Sequence, residues 1–413
     1  MNFKPYENTK DLYKRFDDLY GETTESQKKR YDDLFDEFKR YFNVDSAFFA
    51  SSSGRVEVCG NHTDHNGGVV VSCAISLDTL AAFLPTNDDK IVISSQGYDE
   101  ISVDLRAEPT EQKGTSAALV RGVSVGLFNS GRRVGGFIAK MTSNVVGGAG
   151  ISSSASFEVL IAEILSFLYN DGKVSEEEKA KVSQYAESVY FGKPCGLLDQ
   201  TAIAFGGLNR LDFYDKNKIG VKRINADTSD YTFVLVNTGG SHANLTDEYA
   251  AIPKEMKAVA NLFGKERLIE ISESDFYLKL PEIIDKVSDR AILRAVHFYS
   301  ENKRVDKLAD ALINGEEKLF FDTIKDSGIS SALFLQNCRV DGSLEQLVMR
   351  ALAITNRFLS DGANRVHGGG FAGTILCVLK NENVDYFIEN VSKFYDKNAI
   401  IPLKIRKVGT TVL

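Results

Sequence analysis

Apolar residues recur at helical spacing near the start of the chain, with lysine, arginine, aspartate and glutamate between them. A repeat of three to four residues places the apolar side chains on one face of a helix, where they can pack against a core. The pattern therefore predicts amphipathic helical structure over residues 11–42. The residues that form the repeat are Tyr31, Leu34, Phe35, Phe38, Tyr41 and Phe42.

From Phe48 the pattern changes to alternating or continuous runs rich in β-branched residues, separated by turn clusters such as Pro-Thr-Asn-Asp and Ser-Gly-Arg. Runs of this kind, bounded by turn residues, are typical of β-strands. The first part of the chain is therefore predicted to be strand-rich. The predicted strands are Val69–Ser72, Leu80–Leu84, Ile91–Ser94, Ile101–Leu105 and Val134–Met141.

Helices dominate the remainder of the chain. Two predicted helices precede a polar stretch at Asp215–Asp227, and further helices and two strands follow it. This order of elements predicts an α+β chain of two lobes. We place the boundary inside the polar stretch, which gives domains of residues 1–218 and 219–413. The predicted elements are the helices Ser152–Tyr169, Ser175–Phe191, Asp247–Leu262 and Leu344–Leu359 and the strands Tyr231–Asn237 and Thr374–Leu379.

Composition narrows the class of protein. The 413 residues carry a formal net charge of −8, which argues against a nucleic-acid-binding surface. No apolar run approaches the ~18–20 residues that a membrane span needs, and the charged N-terminus lacks the apolar region of a signal peptide. Five widely spaced cysteines without a C-x-x-C pair indicate reduced thiols. We therefore expect a cytoplasmic protein.

A glycine- and serine-rich segment at residues 144–158 is the first candidate for chemistry. Gly147, Gly148 and Gly150 lack a Cβ atom, so backbone N–H groups can approach a ligand closely. Ser152, Ser153 and Ser154 then open a predicted helix, and a helix N-terminus after glycines favours anions. The segment predicts a phosphate-binding loop, although a glycine turn with serine caps and no ligand has the same pattern. It is not a G-x-x-x-x-G-K-[ST] loop.

A second segment, residues 54–68, ends in a dense group of polar side chains between apolar strands. His62 and His65 with Asp64 could bind a metal, but a third protein ligand is not evident. The residues at Thr63 and His65 exclude an EF-hand loop. We favour recognition of sugar hydroxyls, because carboxylate, amide and imidazole groups match the donors and acceptors of a pyranose.

Two further segments complete the set of candidates. Residues 362–373 contain three consecutive glycines ahead of a strand, a pattern that also suits close backbone packing. Asp199 lies among apolar residues in the segment 192–200. A carboxylate in such surroundings is either a helix cap or a general base with a tuned pKa.

These segments, in this order, resemble the GHMP small-molecule kinases and, among them, the galactokinases. Residues 54–68 resemble the galactokinase signature GRVNLIGEHTDYNxG, residues 147–156 the phosphate-binding loop, residues 194–200 the segment PCGIMDQ, and residues 368–373 the motif GGGFGG. The resemblance implies a two-lobed fold with the active site in the cleft between the lobes. It also implies transfer of a phosphoryl group from ATP, with Mg²⁺, to the anomeric hydroxyl of galactose.

The resemblance assigns roles to individual residues. Asp199 would accept the proton of the sugar C1 hydroxyl, and Arg55 would neutralise charge on the transferring phosphoryl group. Ser154 and Glu187 would be associated with Mg²⁺, and the loop from Gly147 would hold the nucleotide phosphates. Phosphoryl transfer depends on alignment and charge neutralisation, which this set of residues can supply.

Residues for the sugar follow from the same resemblance. His62, Asp64, Gly196 and Tyr249 match positions that contact the sugar. Asn61 stands where galactokinases have a glutamate that faces the hydroxyls near C6. Its uncharged amide would tolerate either a hydroxyl or a carboxylate there.

Two other departures from the family keep alternatives open. His65 replaces a tyrosine and, if protonated, would favour an anionic sugar. His367 replaces a threonine or serine. The alternatives are a kinase for galacturonate or an N-acetylhexosamine, and a non-catalytic galactokinase-like sugar sensor. We expect a monomer whose partners are a sugar and Mg-ATP, without nucleic acid or membrane.

Overall fold

Two β-sheets organise the chain, which we describe from a computed structural model covering residues 4–148, 150–240 and 245–413. The first sheet has eight strands and the second has four. The strands are β1 (Phe48–Cys59), β2 (Val69–Pro85), β3 (Lys90–Ser95), β4 (Ile101–Asp104), β5 (Phe137–Ser143), β6 (Leu208–Asp212), β7 (Gly220–Arg223), β8 (Tyr231–Asn237), β9 (Gly362–Val366), β10 (Thr374–Lys380), β11 (Ile400–Leu403) and β12 (Thr411–Val412).

Twelve α-helices surround the sheets within the described residues. They are α1 (Phe16–Tyr20), α2 (Glu25–Phe42), α3 (Ser116–Asn129), α4 (Ser153–Tyr169), α5 (Glu176–Tyr185), α6 (Leu198–Phe205), α7 (Thr246–Asn261), α8 (Glu273–Ile283), α9 (Asp289–Asn314), α10 (Glu317–Ser330), α11 (Leu347–Asn356) and α12 (Val384–Val391). None of the helices in these ranges is both long enough and apolar enough to cross a membrane. The mixture of helices with mixed and antiparallel sheets confirms the predicted α+β class.

The order of the first sheet is β12-β1-β2-β5-β3-β4, and β6 and β7 extend it from β2. Its strands pair antiparallel except β3 with β5. The second sheet runs β11-β8-β10-β9 and is antiparallel throughout. The last strand, β12, returns to pair with β1, which brings the C-terminal strand back to the first sheet. Since β6 also pairs with β7, the pairing continues past residue 218, and a domain boundary there stays a prediction.

Alternation along β1 and β2 places two separate cores on the two faces of the first sheet. Phe48 and Phe83 face helices α3, α4 and α5, while Phe49 and Leu80 face α1 and α2. A third core joins the end of β1 to β8, β10, α9 and α10. This third core is where the two lobes meet, and the polar loop after β1 lies at its edge.

Several predicted elements differ from the observed ones in their ends. The helical region at 11–42 is broken at Gly21, which has φ 73°, and α2 begins anew at Thr24 with a capping box. The strands predicted at Val69–Ser72 and Leu80–Leu84 are one strand of 17 residues, because β1 pairs with it along nearly its whole length. Helix α5 ends at Tyr185 and continues as a π-helical turn, Ala186–Phe191.

Candidate active site

Arg55 and Asp199 form a salt bridge at the centre of the cleft. Arg55 lies on β1 and is buried, and Asp199 lies in the first turn of α6, where a third of its side chain remains exposed. The Arg55 Nε atom donates to Asp199 Oδ1 at 2.8 Å, and Nη2 lies 2.7 Å from the same oxygen. The Ser152 hydroxyl donates to Asp199 Oδ2. Both oxygens of the carboxylate are therefore held in place while one edge stays open.

The glycine- and serine-rich loop lies directly against this pair. Arg55 Nη1 donates to the carbonyl of Gly150 at 2.5 Å, and the Arg55 N–H donates to the carbonyl of Ile151 at 3.2 Å. Ser152 adopts a left-handed conformation, φ 65°, and its side chain does not cap α4. The first N–H groups of α4 are therefore left without a side-chain acceptor, as an anion site requires.

Ser154 and Glu187 meet at the start of α4. The Ser154 hydroxyl donates to Glu187 Oε1 at 2.9 Å, Lys193 Nζ lies 3.0 Å from the same oxygen, and Gln200 donates to Oε2 at 2.9 Å. The π-helical turn after α5 carries Glu187 and points it at α4. Burial, and then the nearby charge of Glu187, raise the pKa of Glu158, which lies one helical turn after Ser154.

The donor set at this point fits Mg²⁺. A hydroxyl and a carboxylate are oxygen ligands, and Mg²⁺ usually takes one or two protein oxygens and completes its shell with water and substrate phosphates. Within residues 4–148, 150–240 and 245–413, no three histidine, cysteine, aspartate or glutamate side chains are grouped as metal ligands. Ser154 and Glu187 would thus need phosphate oxygens to complete the coordination.

Asp64 and Gly196, both predicted to contact the sugar, lie against each other. A Cβ atom built on Gly196 would lie 1.8 Å from Asp64 Oδ2, so only glycine fits at residue 196. Burial raises the pKa of Asp64 to about 6, although backbone N–H groups act in the opposite direction. The charge of Asp199 also acts on this carboxylate and raises its pKa further.

The third glycine segment receives hydrogen bonds from the predicted sugar residues. Asn61 Nδ2 donates to the Gly368 carbonyl at 2.7 Å, and His62 Nε2 donates to the Gly369 carbonyl at 3.0 Å. The Tyr249 hydroxyl donates to the next carbonyl, that of Gly370, at 2.7 Å. The structure therefore brings these residues together on one loop, which we call the triple-glycine loop (residues 368–370).

The structure places Asn61 differently from the sequence-based expectation. Its side chain is fully buried, and Nδ2 donates both to Glu57 Oε1 at 2.9 Å and to the triple-glycine loop. Its Oδ1 accepts from Asn337 at 2.7 Å and from Ser331 at 3.4 Å. Both amide hydrogens are used inside the protein. The amide therefore has no free hydrogen for a C6 group in this conformation.

The condition under which His65 would favour an anionic sugar, protonation of its ring, is not met near pH 7. Burial lowers the pKa of His65 to about 3, and the charges of His62 and Arg294 act in the same direction. Its Nδ1 lies 2.9 Å from Asn66 Nδ2, and among the described residues its buried Nε2 has no hydrogen-bond partner. Burial also lowers the pKa of His62 to about 4. Both rings are therefore neutral near pH 7 and add no positive charge for an anionic sugar.

Buried charged residues close to the triple-glycine loop were not predicted from the sequence. Glu57 pairs with Arg365 at 3.1 Å. Burial raises the pKa of Glu57, and the charges of Arg365 and Arg55 lower it. Glu301 on α9 accepts from the N–H of Gly60 at 2.9 Å and from Arg304 at 2.6 Å. The available signal was a glutamate between Val56 and Val58 in an apolar strand, since a buried charge requires a partner.

Comparison with known proteins identifies the family of this chain. The family model of the galactokinase galactose-binding signature matches residues 36–85, and that of the GHMP kinase N-terminal domain matches residues 116–207. A galactokinase of Clostridium tetani is 30% identical over 367 residues, covering 87% of this chain and 91% of that protein. One of Clostridium acetobutylicum is 31% identical over 374 residues, covering 87% and 90%.

Solved structures share the fold. The crystal structure of Lactococcus lactis galactokinase complexed with galactose superposes with a TM-score of 0.77 at 24% identity, covering 98% of this chain and 99% of that one. Mevalonate kinase of Methanococcus jannaschii has a TM-score of 0.59 at 15% identity, covering 87% and 98%. This fold, together with the match to the GHMP kinase N-terminal domain, defines a GHMP small-molecule kinase.

Within that class, the chain belongs to the galactokinase family. It is a sugar kinase, an enzyme that transfers a phosphoryl group.

Proposed function

We propose that this protein transfers the γ-phosphoryl group of ATP to the anomeric hydroxyl of galactose, giving galactose 1-phosphate and ADP. The observation that carries the proposal is Asp199, held on both oxygens by Arg55 and Ser152 beside the loop at the start of α4. A base, a cation and an anion-binding helix end are the parts that phosphoryl transfer needs. The galactokinase relatives support the choice of sugar.

Each residue has a distinct task in this mechanism. The open edge of Asp199 accepts the proton of the C1 hydroxyl, and Arg55 keeps that carboxylate oriented while it neutralises charge on the transferring group. The N–H groups at the start of α4, with Gly147 and Gly148 in the exposed turn before it, bind the triphosphate. Asp64, His62 and Tyr249 orient the sugar.

Ser154 and Glu187 would hold Mg²⁺, which when bound neutralises phosphate charge. Their own contacts serve this task, because Lys193 and Gln200 fix the Glu187 carboxylate on both oxygens. The two serine side chains thus have different partners. Ser152 donates to the proposed base Asp199, and Ser154 donates to the proposed metal ligand Glu187. Ser153 lies between them in the first turn of α4, where its backbone N–H can contribute to phosphate binding.

A panel of sugars tests the function. Galactose, galacturonate and N-acetylgalactosamine are each incubated with Mg-ATP, ADP release is followed, and the position of the phosphate is determined by NMR. We expect galactose to have the highest kcat/KM, because the two features that favoured an anionic sugar, a cleft-facing Asn61 and a charged His65, are absent from the structure. Binding of galactose without ADP release would instead identify a sensor.

The metal role of Glu187 is tested by Glu187→Gln. The amide keeps the shape and removes the charged ligand, so the affinity for Mg²⁺ in the presence of ATP should fall by roughly 10–100-fold. The direct readout is titration of Mn²⁺ by electron paramagnetic resonance, which does not depend on turnover. Glu178→Gln, in a helix-surface pair with Arg132, is the matched control. Equal metal affinity in the two variants would remove Glu187 from the site.

A further inference from the structure

Glu57 is a buried carboxylate that the proposed mechanism does not use. Only 2% of the residue is exposed, and it lies two positions after Arg55 on β1, on the same face of the strand. Its Oε1 accepts from Arg365 Nη2 at 3.1 Å and from Asn61 Nδ2 at 2.9 Å. Arg365 is fully buried on β9, so one positive and one negative charge face each other where the lobes meet.

Asn61 links this ion pair to the triple-glycine loop. Because Nδ2 has two acceptors and Oδ1 has donors from Asn337 and Ser331, only one orientation of the amide satisfies all of its partners. Asn337 Nδ2 also lies 3.1 Å from the carbonyl of Gly369, to which His62 donates. The amide of Asn61 thus fixes the loop that holds His62.

The galactokinase signature has the same two side chains in the opposite order. GRVNLIGEHTDYNxG has asparagine at the position of Glu57 and glutamate at the position of Asn61, whereas this chain reads GRVEVCGNHTDHNGG. The two residues are in direct contact here. An exchange of one for the other conserves both the total volume and the total charge of the pair, and such exchanges are the ones that a packed interior tolerates.

The charges around the pair allow one carboxylate and no more. A second carboxylate at residue 61 would lie against Glu57, and like charges in a buried site repel strongly. Arg365 contacts Glu57 directly, and the charge of Arg55 also favours the ionised form of Glu57. With no carboxylate, Arg365 would be buried without a counter-ion. Glu301 does not substitute, because it is already engaged by Arg304, Ser327 and backbone N–H groups.

We propose that Glu57 and Asn61 form one coupled unit that carries a single buried negative charge and positions the triple-glycine loop at the sugar end of the cleft. Both are positioning residues, and they act on the sugar through His62. The coupling itself does not depend on the substrate. Its kinetic consequence rests on the proposed function, because it is measured with galactose.

A double-mutant cycle tests the coupling. The proteins are the wild type, Asn61→Glu, Glu57→Asn and the exchange variant that carries both substitutions. We expect each single substitution to lower Tm and to reduce kcat/KM for galactose by ~100-fold, with a much smaller change in KM for ATP. The exchange variant should recover most of the loss in Tm, because it restores one carboxylate beside Arg365, whereas the hydrogen bond from residue 61 to the Gly368 carbonyl stays lost. Its kcat/KM for galactose should therefore exceed that of either single variant without reaching the wild-type value. Substitution of a residue that served only local stability would not affect the kinetics with galactose more strongly than the KM for ATP.

A second pair of variants keeps the test valid if one of the single variants does not fold. Glu57→Gln removes the charge and keeps the shape, so Glu57→Gln with Asn61→Glu should be more stable than Asn61→Glu alone. Asn209→Asp is the matched control, because Asn209 is buried on β6, where its Nδ2 donates to the Gly206 carbonyl, and Glu57→Gln should not restore the stability that this substitution removes. If Asn61→Glu alone does not fold but the double variants do, that result also supports the proposal.

Additive losses in the cycle would overturn the coupling, as would failure to recover either double variant in a folded form. These results are distinct from failure of the proposed function. If the wild type does not phosphorylate galactose but the Tm values show rescue, the coupled unit stands and the activity is wrong. If the wild type is active and the effects of the two substitutions add, the activity stands and the coupled unit is wrong.

Discussion

Replacing Asp199 with asparagine is expected to reduce kcat with galactose by about 10²–10⁴-fold. The amide is nearly isosteric, but it cannot accept the proton of the C1 hydroxyl. It also cannot serve Arg55 and the Ser152 hydroxyl as a charged acceptor on both sides. Since a third of the side chain is exposed, the fold should be retained. Tm, and calorimetric binding of ATP and galactose, should stay close to the wild-type values.

A matched pair elsewhere in the sheet provides the control for Asp199. Asp212 on β6 pairs with Arg210 at 3.2 Å, with 36% of the aspartate side chain exposed, and has no role in the proposed mechanism. Asp212→Asn therefore removes an aspartate–arginine pair without touching the proposed base, and should leave kcat within a factor of about two, because surface pairs contribute little. Wild-type kcat in Asp199→Asn, with normal binding of both substrates, would show that another group accepts the proton.

The sequence predicted the elements of the fold well because their signals are local. The strand Tyr231–Asn237 agrees with the structure at both ends, and the helix after the phosphate loop differs by one residue. Local pattern also located Arg55, Asp199 and Ser154 in segments that the fold brings together. Their roles depend on which atoms face the substrates, and that stays a prediction for the experiments above.

Asn61 and His65 could not be predicted in the same way, because their surroundings are set by distant parts of the chain. The partners of Asn61 include Gly368 and Asn337, which are 307 and 276 positions away. A one-dimensional pattern gives the residue type at a loop position and says nothing about which side of the loop faces the solvent. Burial in the folded chain lowers the pKa of His65, and the charges of the nearby His62 and of Arg294 act in the same direction.

The exact end of α5 could not be predicted either. The sequence has helical periodicity up to Phe191, but the backbone changes to a π-helical turn at Ala186. A π-helical turn inserts an extra residue into the helical repeat and rotates the side chains that follow. Glu187, directly after the change, is thereby directed at Ser154, in a place where short π-helical segments often carry functional residues.

Arg55→Lys is the second substitution with a large expected effect. The guanidinium contacts Asp199 through Nε and Nη2 and the Gly150 carbonyl through Nη1, which connects the base to the phosphate loop. A lysine ammonium keeps the charge but is a single point and cannot bridge both groups from the same strand position. We expect kcat to fall by roughly 10²–10³-fold, the effect of removing a donor that stabilises transition-state charge.

The pattern of the loss distinguishes this role from simple disruption of the site. Because Arg55 acts on the transferring group and on the base, kcat should fall much more than KM for galactose rises, and Tm should decrease only modestly since a cation remains beside Asp199. Arg210→Lys, which alters the surface partner of Asp212 and Asp306, is the matched control and should retain wild-type kinetics. If Arg55→Lys were equally active, charge alone would be sufficient at residue 55, and the fixed geometry between Asp199 and the Gly150 carbonyl would have no part in the transfer.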